Sequence, residues 1–362
     1  MLKSLASNHL SRSTYLWLGA LALILLPWIV GASGGNYWVR VLDFALLYIV
    51  LALGLNVVVG FAGLLDLGYI AFYALGAYSY ALLASPHLPQ HFETIASVFP
   101  QGMHFSPWMV VVFSIILAAL FGIILGLPTL QLRGDYLAIV TLGFGEIIRI
   151  FMNNLDRPLN LTNGPKGITA IDPIQLFGIS FTKPLDLGFL QIPGLYLVFY
   201  LFLTLAIAVT IVCTHLQHSR IGRAWVAIRE DEIAAKAMGI NTRNMKLLAF
   251  AIGASFAGVA GVLFSAFQGF VSPESFTLWE SIVVLAMVVL GGIGHIPGVI
   301  LGAIVLAVFP EILRGIAEPI QKAIFGHVIV DVEVIRQLIY GLALILIMLY
   351  RPGGIWQKSE GK

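Results

Sequence analysis

The chain has 362 residues, of which 59% are hydrophobic and only 10% are charged, and its formal net charge is +2. An average soluble domain carries roughly 25% charged residues, so this composition excludes a water-soluble globule and indicates an all-α polytopic membrane protein. The small net charge, without a basic tract, excludes a nucleic-acid partner. The single cysteine, Cys213, excludes an intrachain disulfide.

Apolar runs of about 17–25 residues are candidates for transmembrane helices. The sequence predicts about ten such helices in one transmembrane domain that covers residues 1–362. The first run is preceded by Lys3 and Arg12 and fits either a cleaved signal peptide or, as we favour, a first span with a basic cytoplasmic flank. The predicted spans are 15–31, 39–59, 61–84, 107–131, 135–152, 194–215, 247–269, 276–293, 295–316 and 335–350.

The distribution of Lys and Arg predicts the orientation of these spans. The loop 219–246 is the longest charge-dense segment of the chain, and its basic excess places it in the cytoplasm. Ten spans then put both termini in the cytoplasm and the largest outer loop, 153–193, on the other side. The spans 276–293 and 295–316 have the shortest joint, and merging them would reverse the orientation of everything that follows.

The predicted outer segment 85–106 contains three histidines, a residue type that often ligates metal ions. His87 and His91 have helical i, i+4 spacing, but His104 does not extend that pattern and no cysteine joins them. We therefore predict no metal site in this chain.

Polar side chains inside apolar runs are costly in lipid and mark candidate sites. On this ground Asn56, Asp66, Glu146 and Gln268 are candidates for a translocation pathway. The alternative for Asn56 and Gln268 is a hydrogen bond between helices, and the alternative for Glu146 is an i, i+3 ion pair with Arg149.

The sequence contains no phosphate-binding loop and no catalytic constellation. We therefore predict no enzyme activity, no catalytic residue and no cofactor in this chain. A series of intramembrane acids, which a proton relay would need, is also not found.

The loop 219–246 has the layout of a helix, a turn and a second helix that continues into a span. Residues 224–238 favour one helix, Gly239 is a helix stop, and Asn241 or Thr242 fits the cap of the next helix. Such an element can pass a rigid-body displacement into the helix bundle, whereas an ordinary loop would only set the topology.

Residues of this loop also resemble a known family. Residues 222–224 and 227–239 are similar to the EAA coupling motif in LivM-type permease subunits of branched-chain amino acid ABC transporters. Position 66 varies in that family, and the segments 85–106 and 316–335 match none of its motifs. Five further motifs match in order, at 59–69, 132–143, 163–168, 269–276 and 290–298.

The resemblance implies a type II-like ABC importer permease in the bacterial plasma (inner) membrane, which moves branched-chain or other neutral amino acids by alternating access. It implies a second, homologous permease that completes a heterodimer, and a periplasmic substrate-binding protein. It also implies two ATPase subunits that bind ATP and Mg outside this chain.

The resemblance further implies a contact between the loop and the ATPase subunits. We expect small side chains to seat a helix in a groove on the ATPase, with nearby charges fixing the register. The implied coupling residues are Arg223, Glu230, Asp231, Glu232, Ala234, Ala235 and Gly239.

Two other functions stay open at this point. One is a permease of the related branch that carries urea or short amides. The other is an ion-coupled secondary transporter or channel that acts without an ATPase.

Overall fold

A computed structural model describes residues 12–100, 102–130, 132, 134–176, 179–181, 183–186, 191–325, 327, 330–350 and 353–354. Over this part of the chain the protein is built almost entirely from α-helices. They are α1 (Arg12–Asn56), α2 (Ile70–Leu83), α3 (His87–His91), α4 (Glu93–Val98), α5 (Pro107–Thr129), α6 (Asp135–Asn154), α7 (Gly194–His218), α8 (Arg220–Glu230), α9 (Glu232–Ala237), α10 (Thr242–Gln268), α11 (Leu278–Gly291), α12 (Ile296–Phe325) and α13 (Val332–Tyr350).

Short irregular elements connect some of these helices. A π-helical turn, Val57–Phe61, follows α1, and 3₁₀ turns lie at Gly164–Lys166 and Pro273–Phe276. The predicted outer loop 153–193 contains two antiparallel hairpins, in which β1 (Gln175–Leu176) pairs with β2 (Ile179–Ser180) and β3 (Leu185–Asp186) pairs with β4 (Gln191–Ile192).

Helix α1 contains a sharp bend at Gly35. The backbone of Gly35 has φ of 74° and ψ of −178°, which is not helical. A β-carbon added at Gly31 would lie 3.5 Å from a side-chain carbon of Val39, whereas eight residues of straight helix span about 12 Å. The chain therefore folds back at Gly35, which lies between the predicted spans 15–31 and 39–59.

Six helical stretches of the described chain are long and apolar enough to cross a membrane: Leu21–Phe61, Pro107–Thr129, Gly194–His218, Thr242–Gln268, Pro273–Gly291 and Ile296–Ala323. Helix α2 is apolar but shorter, at 14 residues. Helices α6 and α13 overlap the predicted spans 135–152 and 335–350 but are not among the six. The chain is thus a multi-pass α-helical membrane protein.

Helix α10 lies at the centre of the bundle, packed against α2 and α5. Its small residues allow the backbones to touch: a β-carbon added at Gly261 would lie 2.2 Å from the carbonyl oxygen of Tyr73, and one at Gly76 would lie 2.1 Å from that of Gly258. Against α5, a β-carbon at Gly122 would lie 2.8 Å from the carbonyl oxygen of Phe250. Such contacts are how helices associate in lipid, where hydrophobicity alone gives no driving force.

The helix ends on the side of the loop 153–193 are joined by main-chain contacts between segments distant in the chain. Ile168 and Val271 form an isolated antiparallel bridge. Nearby, the amide of Asp172 donates to the carbonyl of Ala84, and the hydroxyl of Tyr80 donates to the carbonyl of Asp172. Residues 168–172 are therefore tied to the helix bundle by main-chain and side-chain hydrogen bonds.

Candidate functional site

The charged loop forms three consecutive helix starts, each fixed by its own capping side chain. The hydroxyl of Ser219 accepts from the amide of Gly222 at the start of α8, at 3.1 Å. The carboxylate of Asp231 accepts from the amides of Ile233 and Ala234 at the start of α9. Each cap satisfies main-chain donors that have no partner inside their helix.

The cap at Asp231 corrects one prediction. The sequence predicted a single helix over 224–238, but the structure has a break at Asp231, whose backbone is extended. The reason is that an Asp side chain competes with the helix for main-chain donors and so favours a helix start over a helix interior. The predicted cap at Asn241 is confirmed, since its side-chain oxygen accepts from the amide of Asn244.

Two buried contacts fasten α8 and α9 to the first turn of α10. The indole Nε1 of Trp225, a fully buried residue, donates to the carbonyl oxygen of Met245 at 2.7 Å. The ammonium of Lys246 lies 2.7 Å from a carboxylate oxygen of Glu232, and the Lys246 side chain is only 5% exposed. Because these bonds are largely shielded from water, they hold the loop firmly against the start of α10.

Arg229, near the end of α8, reaches from the loop to the membrane helices. Its Nη1 donates to the carbonyl oxygen of Gly60 at 2.6 Å. A β-carbon added at Gly63 would lie 2.5 Å from the Arg229 side chain, and one added at Gly294 would lie 3.2 Å from its guanidinium. Arg229 therefore sits against two irregular turns, the π turn after α1 and the turn between α11 and α12.

These two turns are also bonded to each other. The amide of Gly294 donates to the side-chain oxygen of Asn56 at 2.9 Å. A β-carbon added at Gly60 would lie 2.0 Å from that Asn56 oxygen and 2.7 Å from the amide nitrogen of Gly294. The backbone of Gly294 has φ of +82°, a conformation that L side chains rarely adopt. We name Asn56, Gly60, Arg229 and Gly294 the Arg229 junction.

The predicted coupling residues occupy different environments. Ala234 and Gly239 are exposed, and Gly239 ends α9 with φ of +85°. Ala235 is only 4% exposed, so its side chain packs within this chain. The guanidinium of Arg223 donates to the carbonyl of His218 at 2.9 Å. Glu230 is exposed and lies 3.3 Å from Arg229, whereas Asp231 and Glu232 make the contacts described above.

Sequence reasoning did not single out two exposed apolar side chains on this loop. Ile233 is 70% exposed and Met238 is 84% exposed, and both stand at the ends of α9. Large apolar residues that protrude from an otherwise charged loop favour a protein contact. The signal in the sequence was a large apolar residue on each side of the Ala-rich stretch. A helix face buried inside the protein gives the same pattern, so the sequence alone did not show that these side chains are exposed.

The four pathway candidates do not bond to one another. Asn56 bonds to Gly294, and Gln268 accepts from Arg40 at 2.8 Å. Each bond joins two different helices or turns, in agreement with the alternative prediction that Asn56 and Gln268 form hydrogen bonds between helices.

The two acidic candidates also have separate partners. Glu146 lies 2.9 Å from Arg149, as the i, i+3 alternative predicted. Asp66 is buried and accepts from the amide of Gly68 at 2.8 Å. Their part in a pathway stays a prediction.

The three loop histidines are not brought together. The imidazole rings of His87 and His91 lie 4.5 Å apart, while the Nδ1 of His104 lies 2.6 Å from a carboxylate oxygen of Asp172. Across the described ranges, no group of three or more His, Cys, Asp or Glu has the arrangement of a metal site.

Comparison with known proteins assigns the chain to a family. A family model described as "Branched-chain amino acid transport system / permease component" matches residues 37–348. The chain belongs to this family. The match runs from the second half of α1 into α13, so it includes the charged loop and the Arg229 junction.

Several curated relatives of the family are similar over most of the chain. The high-affinity branched-chain amino acid transport system permease protein LivM of Escherichia coli is 42% identical over 353 residues, which is 94% of this chain and 74% of that protein. BraD of Pseudomonas aeruginosa, another permease protein of such a system, is 30% identical over 318 residues, 86% of this chain and 92% of the relative. LivH of Escherichia coli is 28% identical over 320 residues, with the same two coverages. No solved structure matches the chain.

The predicted resemblance to LivM-type permeases is thus confirmed. In Escherichia coli, two differently named permease proteins, LivM and LivH, both resemble this chain. The permease described here is therefore one of a set of related permease proteins, and LivM has the higher identity of the two.

Proposed function

We propose that this chain is a permease subunit of an ATP-driven importer of branched-chain amino acids in the bacterial plasma membrane. The observation that carries the proposal is the Arg229 junction, which connects a cytoplasmic loop to breaks in two membrane helices. Family membership and the names of the relatives support the substrate class.

The proposed topology has ten crossings and both termini in the cytoplasm. The bend at Gly35 divides α1 into two crossings, and α2, α5, α6, α7, α10, α11, α12 and α13 supply eight more. This topology places the loop 219–246 on the cytoplasmic side and the loop 153–193 outside. The bundle is proposed to be of the type II-like importer class.

The proposed assembly has four further subunits. A second, homologous permease forms the pathway with this one, and two ATPase subunits bind ATP and Mg beneath the pair. A periplasmic binding protein delivers substrate to the outer face. The similarity of this chain to both LivM and LivH supports the pairing of two related permeases.

The proposed contact with the ATPase is the exposed surface of α9 and its flanks. Ile233 and Met238 are its apolar centre, and burying one such side chain is worth about 1.5–3 kcal/mol. Ala234 and Gly239 leave room for a close approach, and Glu230 lies at the rim, where a charge sets orientation.

The hydrogen bonds and the ion pair of the loop define a route by which force on α9 reaches the membrane helices. Force applied to α9 passes to α10 through the Lys246–Glu232 pair and to α8, whose Trp225 is fixed to Met245. Helix α8 carries Arg229, so its displacement reaches the carbonyl of Gly60 and, through Asn56, the amide of Gly294. Both are in irregular turns, where a helix changes direction most easily. We propose that these turns are the hinges of alternating access.

The two alternative functions, a urea or amide permease and an ion-coupled transporter, differ from the proposed one in substrate and in energy source. A urea or amide permease of the related branch would keep the coupling loop but carry another substrate, and the relatives' names favour amino acids. An ion-coupled transporter acting alone would not need a cytoplasmic helix seated against two membrane turns.

Transport by the reconstituted system tests the proposal. The permease pair, its ATPase subunits and its binding protein would be placed in liposomes, and uptake of labelled leucine and of labelled urea would be measured with and without ATP inside. The proposal predicts leucine uptake that requires ATP. Uptake of leucine that needs no ATPase and collapses with an ion gradient would refute it.

A further inference from the structure

A cavity of about 150 Å³ lies between α1, α11, α12 and α13, away from the coupling loop. Its lining combines apolar side chains, among them Val41, Phe44, Met287 and Leu306, with charged and hydroxyl groups. Glu280 lies in the first turn of α11 and Arg336 lies in the second turn of α13. Both therefore sit toward the outer face in the proposed topology.

The polar end of the cavity carries groups of both signs. A carboxylate oxygen of Glu280 accepts from the hydroxyl of Tyr48 at 3.1 Å. A carboxylate has two oxygens with about four acceptor positions, so Glu280 retains capacity for a further donor.

The second charged group on the wall is the guanidinium of Arg336. Its Nη2 pairs with Glu333. Its Nε is buried and has no hydrogen-bond acceptor among the described residues. That nitrogen is closed off from the cavity, but a guanidinium has five N–H donors, so Arg336 keeps further donors beyond those that Glu333 accepts.

A third charged residue on the wall is already neutralised within the protein. Glu311 pairs with Arg314 at 3.1 Å and accepts from the hydroxyl of Tyr37. Glu280, which accepts from Tyr48, and Arg336, which pairs with Glu333, offer the cavity groups of opposite charge, one accepting and one donating.

We propose that this cavity binds a zwitterionic amino acid with an apolar side chain. Its α-ammonium donates to Glu280, its α-carboxylate accepts from Arg336, and its side chain lies among Phe44, Met287 and Leu306. An apolar cavity of about 150 Å³ holds benzene, which has six heavy atoms, so the volume fits a branched aliphatic side chain with its backbone groups at the polar end. This inference rests on the proposed function and deepens it, because it names a substrate subsite within this chain.

Equilibrium binding to the assembled complex tests the subsite directly. The complex of both permeases and the ATPase subunits, without the binding protein, would be incubated with labelled leucine and competed with two leucine analogues. One is 3-methylbutylamine, which lacks the carboxylate, and the other is 4-methylpentanoate, which lacks the ammonium. We expect unlabelled leucine to displace labelled leucine, and each analogue to displace it at least tenfold more weakly.

Substitutions on the wall separate the two contacts. We expect R336Q to weaken leucine binding at least tenfold and to abolish discrimination against 3-methylbutylamine, and E280Q to do the same for 4-methylpentanoate. The matched controls E93Q and R157Q change exposed residues of the outer segments and should leave binding unchanged. Size-exclusion chromatography verifies assembly, and R336K and E280D replace any variant that does not assemble.

The outcomes distinguish the subsite from the proposed function. If leucine is imported with ATP but R336Q and E280Q bind it as the wild type does, the subsite is refuted and the function stands. If no amino acid is imported, the proposed function fails, and the binding measurement still decides the subsite. Absence of leucine binding by the wild-type complex refutes the subsite in either case.

Discussion

The guanidinium of Arg229 donates a 2.6 Å hydrogen bond to the main-chain carbonyl of Gly60, 169 residues earlier in the chain. Through this bond a helix of the charged loop contacts the π turn that follows the second half of α1. The same guanidinium lies beside Gly294, where α11 gives way to α12. A single side chain thus contacts the irregular turns of two membrane helices.

We expect substitution of Gly60 by Ala to destabilise the permease. The added methyl would lie 2.0 Å from the Asn56 side chain and 2.7 Å from the Gly294 amide, so the junction must open. Overpacking of this kind costs about 1–3 kcal/mol, to be measured by thermal unfolding of the purified permease pair. Gly143→Ala is the matched control, because a β-carbon there meets nothing within 4 Å. Equal stability of the two variants would contradict the packing described here.

Removing one partner of the Lys246–Glu232 pair should also destabilise the loop. In E232Q the buried ammonium of Lys246 loses its carboxylate, at a cost of about 3 kcal/mol. The double variant E232Q/K246M should recover part of that loss, because no buried charge remains. Hydrogen exchange across residues 231–246 measures the effect locally. As a control, E230Q changes an exposed pair and should cost less than about 1 kcal/mol.

The exposed side chains of α9 should matter for assembly and not for folding. We expect I233S and M238S each to weaken binding of the ATPase by about tenfold or more, since each loses about 1.5–3 kcal/mol of apolar burial. The permease itself should unfold at an unchanged temperature. The M238L variant keeps the apolar surface and should bind as the wild type does. Normal ATPase binding by both serine variants would place the contact elsewhere.

A pH dependence is expected from the outer segment. Burial, followed by the nearby His91, lowers the pKa of His87 from its ordinary value of 6.5. The unfolded chain then takes up a proton at higher pH than the folded one, so this contribution is complete above pH 6.5 and declines as the pH falls toward the lowered value. Unfolding of H87N should lack this decline, which a pH series of thermal unfolding would show. A parallel decline in H87N would assign it to another group.

Much of the architecture follows from local sequence. Apolar length predicted the main membrane helices, and residue type at a helix start predicted the cap at Asn241, whereas the cap at Ser219 was not predicted. The break at Asp231 was missed because the Ala-, Glu- and Lys-rich residues around it favour helix on either side. One capping carboxylate outweighed that preference.

The partners of the site were not predictable in the same way. Asn56 was recognised as a buried polar group with a bridging alternative, but nothing local indicates that its acceptor meets Gly294 or that Arg229 meets Gly60. These pairs arise from packing between elements far apart in the chain. For the same reason, the cavity bounded by Glu280 and Arg336 has no signature in the sequence.

The most direct test of the coupling account is ATP hydrolysis and leucine uptake measured together in liposomes for R229Q. Loss of the guanidinium breaks the contact with Gly60 while leaving the α9 surface intact, so we expect continued ATP hydrolysis with uptake reduced at least tenfold. R220Q, which changes another exposed arginine of α8, should keep both activities. If R229Q imported as much leucine per ATP hydrolysed as the wild type does, Arg229 would not couple hydrolysis to transport.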